Sequence, residues 1–347
     1  MDTVKVVLWG IGAMGSGMYH LLQKKQGVHI ASAIGRNPGK LGRDLGEALG
    51  TEPCGVRVSE DAEKVLNQNA PSVVLHATGS FLKDVYEELV LAIRSGAHVI
   101  TIAEEMAEPW AADSRLADQL NQEAKERGVT VIGTGINPGF VLDALIIAMS
   151  GVSLHINKIE AERINDLAPF GSSVMASQGV GVTPEAFERG VQNGTIVGHI
   201  GFKQSISLIA RAFDWELDRI VEEKEPIIST TRRETPYVIV EPGMVAGCRH
   251  HAYGYVKDLE VISLKHPQQV RPEMEEVETG DFIKLHGEPT LNIAIKPEIP
   301  GGKGTTAKAV NMIPVVLKSS PGLKTLLDVL TPIWWNTLRK GDHTIGS

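Results

Sequence analysis

The chain has 347 residues, 42% of them hydrophobic and 22% charged, a balance typical of folded proteins that excludes wholesale disorder. Its 34 basic and 42 acidic side chains give a formal charge of −8 without a basic stripe, which disfavours nucleic-acid binding. Cys54 and Cys248 are too few for a disulfide framework, and no apolar run reaches the roughly 20 residues of a membrane span. We expect a soluble, cytoplasmic protein of two domains.

Strand and helix patterns alternate at short spacing over residues 1–137. Helices are predicted at Met14–Lys25, Leu82–Ser95 and Ala111–Arg127. Continuous apolar runs between them predict a parallel sheet covered on both faces, hence a doubly wound Rossmann domain of α/β class. The predicted strands are Val4–Trp9, Val28–Ile34, Val73–His76, Val99–Ala103 and Val129–Gly133.

The pattern changes after Asn137–Pro138–Gly139. Residues 138–303 carry long strand signals with few helices between them, which predicts an α+β substrate and dimerisation domain built on a mixed sheet. Residues 304–347 return to helical patterns, including Gly322–Leu330, and we expect them to pack back on the first domain.

A dinucleotide fingerprint follows the first strand. The G-x-G-x-x-G pattern is formed by Gly10, Ile11, Gly12, Ala13, Met14 and Gly15. Placed between a strand and a helix, such glycines let a pyrophosphate approach the backbone and the free N–H groups at the helix start. A merely tight strand-to-helix turn is the alternative.

The second strand ends in Gly35, Arg36 and Asn37, without the carboxylate that NAD-selective domains place there. An arginine at this position can hold a 2′-phosphate, which favours NADP or the use of both NADP and NAD. Alternatively, Arg36 is a solvated surface residue.

Two more strand ends point toward the same edge of the sheet, where ligands of open parallel sheets lie. Small and polar residues that suit a nicotinamide ribose follow one strand: Ala77, Thr78, Gly79 and Ser80. The other strand is followed by Ala103, Glu104 and Glu105. A carboxylate leaving such an end is a candidate general base, whereas adjacent glutamates are otherwise typical of a solvated helix cap.

In the second domain, Arg163 and Asn165 share one face of a predicted strand. Arg163 needs an anion, which either a substrate carboxylate or an internal Asp or Glu would supply. His199 and His266 lie in Gly/Pro-rich surroundings that suggest pocket loops, although a lone histidine is more often structural. Residues 248–251 (CRHH) resemble a metal cluster in composition only, so no metal site is predicted.

Long stretches of the chain resemble the 2,4-diaminopentanoate dehydrogenase family, among the native amine dehydrogenases and near the dihydrodipicolinate reductase-like Rossmann proteins. The resemblance runs from about residue 3 to about residue 330. It is carried by LWGIGAMGSG, TIAEEMAEP, GTGINPGFVLDALIIA, INDLAPFGSSVMASQGVG, RRETPYVIVEPGMVAGC and IKPEIPGGKGTTAKAVNMIP.

The resemblance implies NAD(P)-dependent oxidative deamination of the C4 amine of 2,4-diaminopentanoate in ornithine fermentation, reversible as reductive amination, by a homodimer. It implies Glu104 as the catalytic carboxylate, with Glu105 as the second choice because the doublet leaves the register open. It also implies that Asn311 contacts the cofactor. The implied substrate contacts are Asn137, Phe140, Arg163, Asn165, His199, His266 and Thr305.

Three alternatives stay open at this point. The first is an amine dehydrogenase for simple amines and ketones, and the second is an imine reductase of the dihydrodipicolinate type. The third is a dinucleotide sensor without catalysis.

Overall fold

The computed structural model describes residues 3–329. Its internal contacts divide the chain into two compact units, which are considered separately below. The first comprises the residues up to Gly139 together with those from Gly301 onward, and the second is Phe140–Pro300. The last eighteen residues of the expected C-terminal segment, including Leu330, lie outside the described residues.

The strands, numbered in chain order, are β1 (Val4–Trp9), β2 (Val28–Ile34), β3 (Val58–Ser59), β4 (Val73–His76), β5 (His98–Thr101), β6 (Thr130–Gly133), β7 (His155–Asp166), β8 (Arg219–Ile228), β9 (Arg233–Glu234), β10 (Ile239–Val240), β11 (Val245–Val256), β12 (Leu259–Gln269), β13 (Gly280–Glu288), β14 (Leu291–Ile295) and β15 (Gly322–Lys324).

The helices are α1 (Ala13–Leu22), α2 (Leu45–Ala48), α3 (Ala62–Asn69), α4 (Leu82–Arg94), α5 (Pro109–Ala112), α6 (Ser114–Arg127), α7 (Ala144–Ser150), α8 (Ser172–Ser177), α9 (Pro184–Gln192), α10 (Phe202–Ala212), α11 (Gly301–Asn311) and α12 (Ile313–Val316), with 3-10 turns at Glu104–Ala107 and Pro272–Glu275.

The first unit is a parallel sheet of order β15-β6-β5-β4-β1-β2-β3. Val7, Val74, Val99 and Val131 are fully buried in its central strands, which requires cover on both faces. The predicted doubly wound α/β class is confirmed. The strand order reverses between β1 and β4, and the carboxyl ends of these strands flank the crevice in which such sheets bind ligands.

The prediction of a helix at Gly322–Leu330 is wrong within the described residues, because Gly322–Lys324 form β15. The strand extends the sheet by pairing with β6 in parallel, and Leu323 is buried in the core. Gly322 has a φ of +121°, a conformation that glycine adopts easily and that a helix does not contain. Pairing with a strand almost two hundred residues away thus overrides the local pattern.

The second unit contains a mixed sheet of order β14-β13-β7-β12-β11-β8, in which only the β7–β12 pair is parallel. Side chains alternate along β7, with Ile159 and Ala161 buried and Lys158, Glu160 and Glu162 half-buried. Helices α7 and α10 pack on the sheet through contacts with β13, β11 and β12. The predicted α+β domain on a mixed sheet is confirmed.

Candidate active site

The turn between β1 and α1 has the close packing of a dinucleotide-binding loop. A Cβ on Gly10 would lie 2.2 Å from the Ala77 carbonyl oxygen, and one on Gly15 would lie 1.8 Å from the Gly10 carbonyl oxygen. A Cβ on Gly12 would instead meet no atom within 4 Å, so packing does not require that glycine. Gly12 caps α1 without a side-chain hydrogen bond, and the first turn carries no acid. The open N–H groups of α1 therefore fit the diphosphate of a nucleotide cofactor.

The loop after β2 lies against this turn. A Cβ on Gly35 would lie 2.8 Å from a side-chain carbon of Ile11, so glycine is needed for this approach. Asn37 accepts a hydrogen bond from the Gly39 N–H, which shapes the loop locally. Arg36 is 82% exposed, as expected for a solvated surface residue. Its Nη2 nevertheless lies 2.6 Å from Oε1 of Glu88 on α4. The predicted phosphate ligand is therefore ion-paired within the unit.

The loop after β4 links several predicted residues. The Thr78 hydroxyl donates to Oε2 of Glu88 and lies 2.8 Å from Nε2 of His76. The Ser80 carbonyl accepts from the Glu105 N–H, and the Ser80 hydroxyl hydrogen-bonds the Glu104 carboxyl. The structure thus brings the predicted ribose-binding loop and the glutamate doublet together at the carboxyl edge of the sheet.

The two glutamates have different surroundings. Glu105 accepts a hydrogen bond of 2.7 Å from the Leu82 N–H and so caps α4. A helix cap is the alternative that the sequence left open for the adjacent glutamates. Burial raises the pKa of Glu104 above its usual range, and the charge of Glu105 raises it further, against the Ser80 hydrogen bond that lowers it. The electrostatic neighbours of Glu104 in the described part of the chain include no cation. A buried carboxyl with a raised pKa is typical of a general base.

Close backbone packing positions this doublet. Ala103 is buried, and its N–H donates to Oγ1 of Thr101 at the end of β5. A Cβ on Gly133 would lie 2.1 Å from the Met106 carbonyl oxygen, so the 3-10 turn rests directly on the end of β6. The turn is therefore held between two strand ends.

The remaining predicted residues of the first unit lie at its later segments. Asn137 is half-buried, and Oγ1 of Thr305 accepts a 3.3 Å hydrogen bond from the Ile136 N–H. A Cβ on Gly17 would meet Thr306 at 2.7 Å, so α11 packs closely on α1. Asn311 is the last residue of α11 and is half-buried.

Arg163 in the second unit pairs with an internal carboxylate, which is one of the two partners that the sequence left open. Its side chain is 3% exposed, and Nη1 donates to the fully buried Asp281 carboxylate on β13. Nη2 donates 2.5 Å to the Ile299 carbonyl. The structure therefore shows the internal ion pair that was one of the two alternatives for Arg163, and a contact with the substrate carboxylate stays a prediction.

His199 and His266 lie together in the second unit, with their rings 4.7 Å apart. Nε2 of His266 lies 2.9 Å from the Asn165 amide oxygen. Burial holds the pKa of both histidines well below the usual value, and neighbouring positive charge lowers it further, so both rings are neutral. Within the described part of the chain, the buried Nε2 of His199 has no hydrogen-bond partner, which leaves a polar atom for a ligand. Phe140, the first residue of the unit, is half-buried.

Backbone alternation places Cys248 and His250 on the buried face of β11 and His251 on the opposite face, because successive side chains of a strand point to opposite faces. His250 instead holds the pocket loop by accepting a 3.0 Å hydrogen bond from the His199 N–H. Its Nε2 therefore carries the proton toward Glu222, 3.1 Å away. Among residues 3–329 no group of three or more His, Cys, Asp or Glu is arranged to hold a metal ion.

Two residues that shape these sites carry no local sequence signal. Glu88 lies in the middle of α4, and Asp281 lies near the start of β13. Helix periodicity places Glu88 on a half-buried face of α4, and strand alternation places Asp281 on a buried face of β13. A carboxylate at such a position is the one sequence feature that indicates a charged partner.

Within residues 3–329 no helix is both long and apolar enough to cross a membrane. The close-packed glycine turn after β1, the strand-end carboxyl of Glu104 and the doubly wound sheet together are the features of a nicotinamide-dependent oxidoreductase.

Comparison with known proteins identifies the family. The model of the 2,4-diaminopentanoate dehydrogenase C-terminal domain matches residues 140–341, and that of the dihydrodipicolinate reductase N-terminus matches residues 4–101. The chain belongs to the 2,4-diaminopentanoate dehydrogenase family, which confirms the expected resemblance.

Individual relatives span nearly the whole chain. A 2,4-diaminopentanoate dehydrogenase of Acetoanaerobium sticklandii is 43% identical over 96% of this chain and 95% of its own. An amine dehydrogenase of Streptomyces virginiae is 26% identical over 94% of this chain and 96% of its own. The solved amine dehydrogenase of Mycobacterium smegmatis superposes with a TM-score of 0.85 at 27% identity, covering 96% of this chain and 97% of that one.

Proposed function

We propose that the protein oxidises the C4 amine of 2,4-diaminopentanoate to 2-amino-4-oxopentanoate, with water and NAD(P)+ consumed and ammonium, NAD(P)H and a proton released. The reverse reaction is reductive amination of the ketone. The observation that carries the proposal is the carboxyl of the half-buried Glu104, beside the predicted ribose-binding loop, whose pKa is raised by desolvation and whose electrostatic neighbours among residues 3–329 include no cation. The 43% identity to a 2,4-diaminopentanoate dehydrogenase supports the substrate.

Glu104 is the proton acceptor in this proposal. An alkyl ammonium must lose a proton before its nitrogen lone pair can form an iminium, and a carboxyl with a raised pKa is suited to take it. The bound nicotinamide supplies the acceptor for the hydride that leaves C4. After it has released the ammonium proton to solvent, the Glu104 carboxylate stabilises the developing positive charge and then takes a proton from the water that attacks the iminium. The Ser80 hydroxyl orients the carboxyl through its hydrogen bond.

Recognition of the substrate is assigned to neutral polar groups of the second unit. The unpartnered Nε2 of His199 and the pair formed by His266 and Asn165 support this assignment. Asn137, Phe140 and Thr305 stay as predicted contacts. The ion pair with Asp281 supports a structural role for Arg163 between β7 and β13, which weakens the argument for a contact with the substrate carboxylate.

The cofactor is NADP or NAD. Arg36 supports NADP or the use of both, since the end of β2 carries no acid of its own. The ion pair with Glu88 weakens the argument for strict NADP use.

The assembly in this proposal is a cytoplasmic homodimer that forms through the outer face of the second sheet. On that face the half-buried Phe282 lies opposite Glu162, and Lys284 lies opposite Glu160. Aromatic surface between charges of both signs is suited to a self-complementary contact. Light scattering is expected to give twice the mass of one chain, and a monomer would remove the dimer from the proposal.

Incubation with 2,4-diaminopentanoate at alkaline pH, once with NADP+ and once with NAD+, tests the activity. Reduced nicotinamide and released ammonia are expected in equal amounts. Activity with simple amines alone would favour the alternative suggested by the amine dehydrogenase relatives. If no amine yields reduced nicotinamide, the imine reductase or the dinucleotide sensor would be favoured.

A further inference from the structure

A carboxylate from α4 joins the two loops predicted to contact the dinucleotide. Glu88 Oε1 lies 2.6 Å from Nη2 of Arg36, which follows β2. Its Oε2 lies 2.8 Å from Nε2 of His76 and accepts from the hydroxyl of Thr78, which follows β4. Because β1 lies between β2 and β4, the bridge passes over the strand that leads into the glycine turn.

The carboxylate is held from the core side. His76 is buried against Trp9, and its Nδ1 lies 2.9 Å from Oγ1 of Thr101. The Glu88 side chain is only 12% exposed, whereas that of Arg36 is 82% exposed. The glutamate is therefore the fixed partner and the arginine the solvated one.

Glu88 is ionised at neutral pH. Burial by itself raises the pKa of its carboxyl, but hydrogen bonds from His76 and Thr78 and the charge of Arg36 outweigh burial and hold the pKa below its usual range. The carboxylate thus presents a full negative charge beside the guanidinium.

NAD-selective sheets place an acid at the end of the second strand, and this chain has none there. The structure brings an acid to the same place from α4. We infer that Glu88 is a specificity-determining residue that weakens the binding of the 2′-phosphate of NADP relative to the uncharged 2′-hydroxyl of NAD. The inference rests on the proposed binding of a nicotinamide dinucleotide by the first unit.

The expected size follows from the Coulomb interaction. A phosphate charge about 5 Å from the carboxylate in water is disfavoured roughly fourfold, and two charges roughly fifteenfold. Salt screens charges separated by about 10 Å at 0.1 M, so the effect shrinks as ionic strength rises.

Titration calorimetry with NADP+ and with NAD+ at low salt tests the inference in Glu88→Gln. We expect NADP+ to bind roughly four- to fifteenfold more tightly than in the wild type, with less than about a twofold change for NAD+. The matched control is Glu87→Gln, the same change at the exposed neighbouring residue of α4, which should alter neither. Glu88→Asp keeps the charge and should retain the wild-type ratio.

An unchanged ratio in Glu88→Gln, or weaker NADP+ binding, would overturn the role of Glu88. If Glu88→Gln fails to bind NAD+, the affinities of the wild type for NADP+ and NAD+ test the inference instead. A wild-type preference for NADP+ above about tenfold is incompatible with a neutralised Arg36 and would overturn the role of Glu88. Binding of neither dinucleotide to the wild type would instead overturn the proposed function.

Discussion

Both units bury ionisable side chains, but they do so in opposite ways. In the second unit, Arg163 and Asp281 are buried as a pair, and each neutralises the other. In the first unit, the Glu104 carboxyl is buried beside Ser80 and Glu105 without a cation in the described part of the chain. A paired buried charge stabilises a fold, whereas a carboxyl whose burial is left uncompensated is available to accept a proton. The comparison therefore places the candidate base in the first unit and a structural ion pair in the second.

The largest expected effect comes from breaking the buried pair. Asp281→Asn leaves the Arg163 guanidinium buried without a counter-charge, which should lower the free energy of unfolding by about 3–5 kcal/mol. Urea denaturation measures the loss. The control is the double variant Arg163→Met with Asp281→Leu, which removes both charges and should lose less. Equal losses in the single and double variants would show that the pair is not coupled.

A second paired carboxylate gives a smaller effect with a defined pH dependence. Burial alone would raise the pKa of Glu275, but hydrogen bonds from Thr230 and the buried Arg233 hold it at about 2. Since the folded pKa is depressed, Glu275 stabilises the fold above the usual carboxyl pKa, and this contribution disappears as pH falls toward 2.

Glu275→Gln should therefore lower the free energy of unfolding by about 1–2 kcal/mol near pH 7, with solvent screening allowed for, and by less as the pH is lowered. Denaturation curves over a pH series measure the difference between the two proteins. A difference that stays constant down to the lowest pH would show that the hydrogen bonds do not depend on the charge.

Glu104 should show the opposite sign. Because its pKa is raised by burial, the folded state holds the proton more tightly than the unfolded chain, and the wild type loses stability as pH rises through the raised pKa. Glu104→Gln removes this loss, so the variant should gain stability relative to the wild type between a pH below the usual carboxyl pKa and a pH well above it. Thermal unfolding at the two pH values checks this, with the exposed Glu87→Gln as control. A difference that shrinks with pH would contradict the burial of an ionising carboxyl.

The part of the fold that could be predicted is the part set by local pattern. The bounds of β1, β2 and β4 agree with prediction to the residue, because each is a mostly apolar run, rich in β-branched residues, that ends where glycine or alanine follows. The glycine turn and the strand-end glutamates were located for the same reason. In contrast, β15 depends on pairing with a distant strand, which no local pattern encodes.

Partners of charged residues could not be predicted, since they come from distant parts of the chain. Arg36 and Glu88 are 52 residues apart, and Arg163 and Asp281 are 118 apart. The sequence shows that each arginine needs an anion without showing which one. The separate roles of Glu104 and Glu105 also required the fold, because only the position of Leu82 reveals which glutamate caps a helix.

The turnover of 2,4-diaminopentanoate by Glu104→Gln and Glu105→Gln, measured with saturating NAD(P)+, tests the central claim most directly. The two variants remove one charge from adjacent residues, and glutamine at position 105 keeps an oxygen to accept from the Leu82 N–H. Glu104→Gln should lower turnover by roughly 10²–10⁴ while cofactor affinity is unchanged, and Glu105→Gln should retain most of the activity. Wild-type turnover in Glu104→Gln, with the loss in Glu105→Gln, would contradict the assignment of Glu104 as the base.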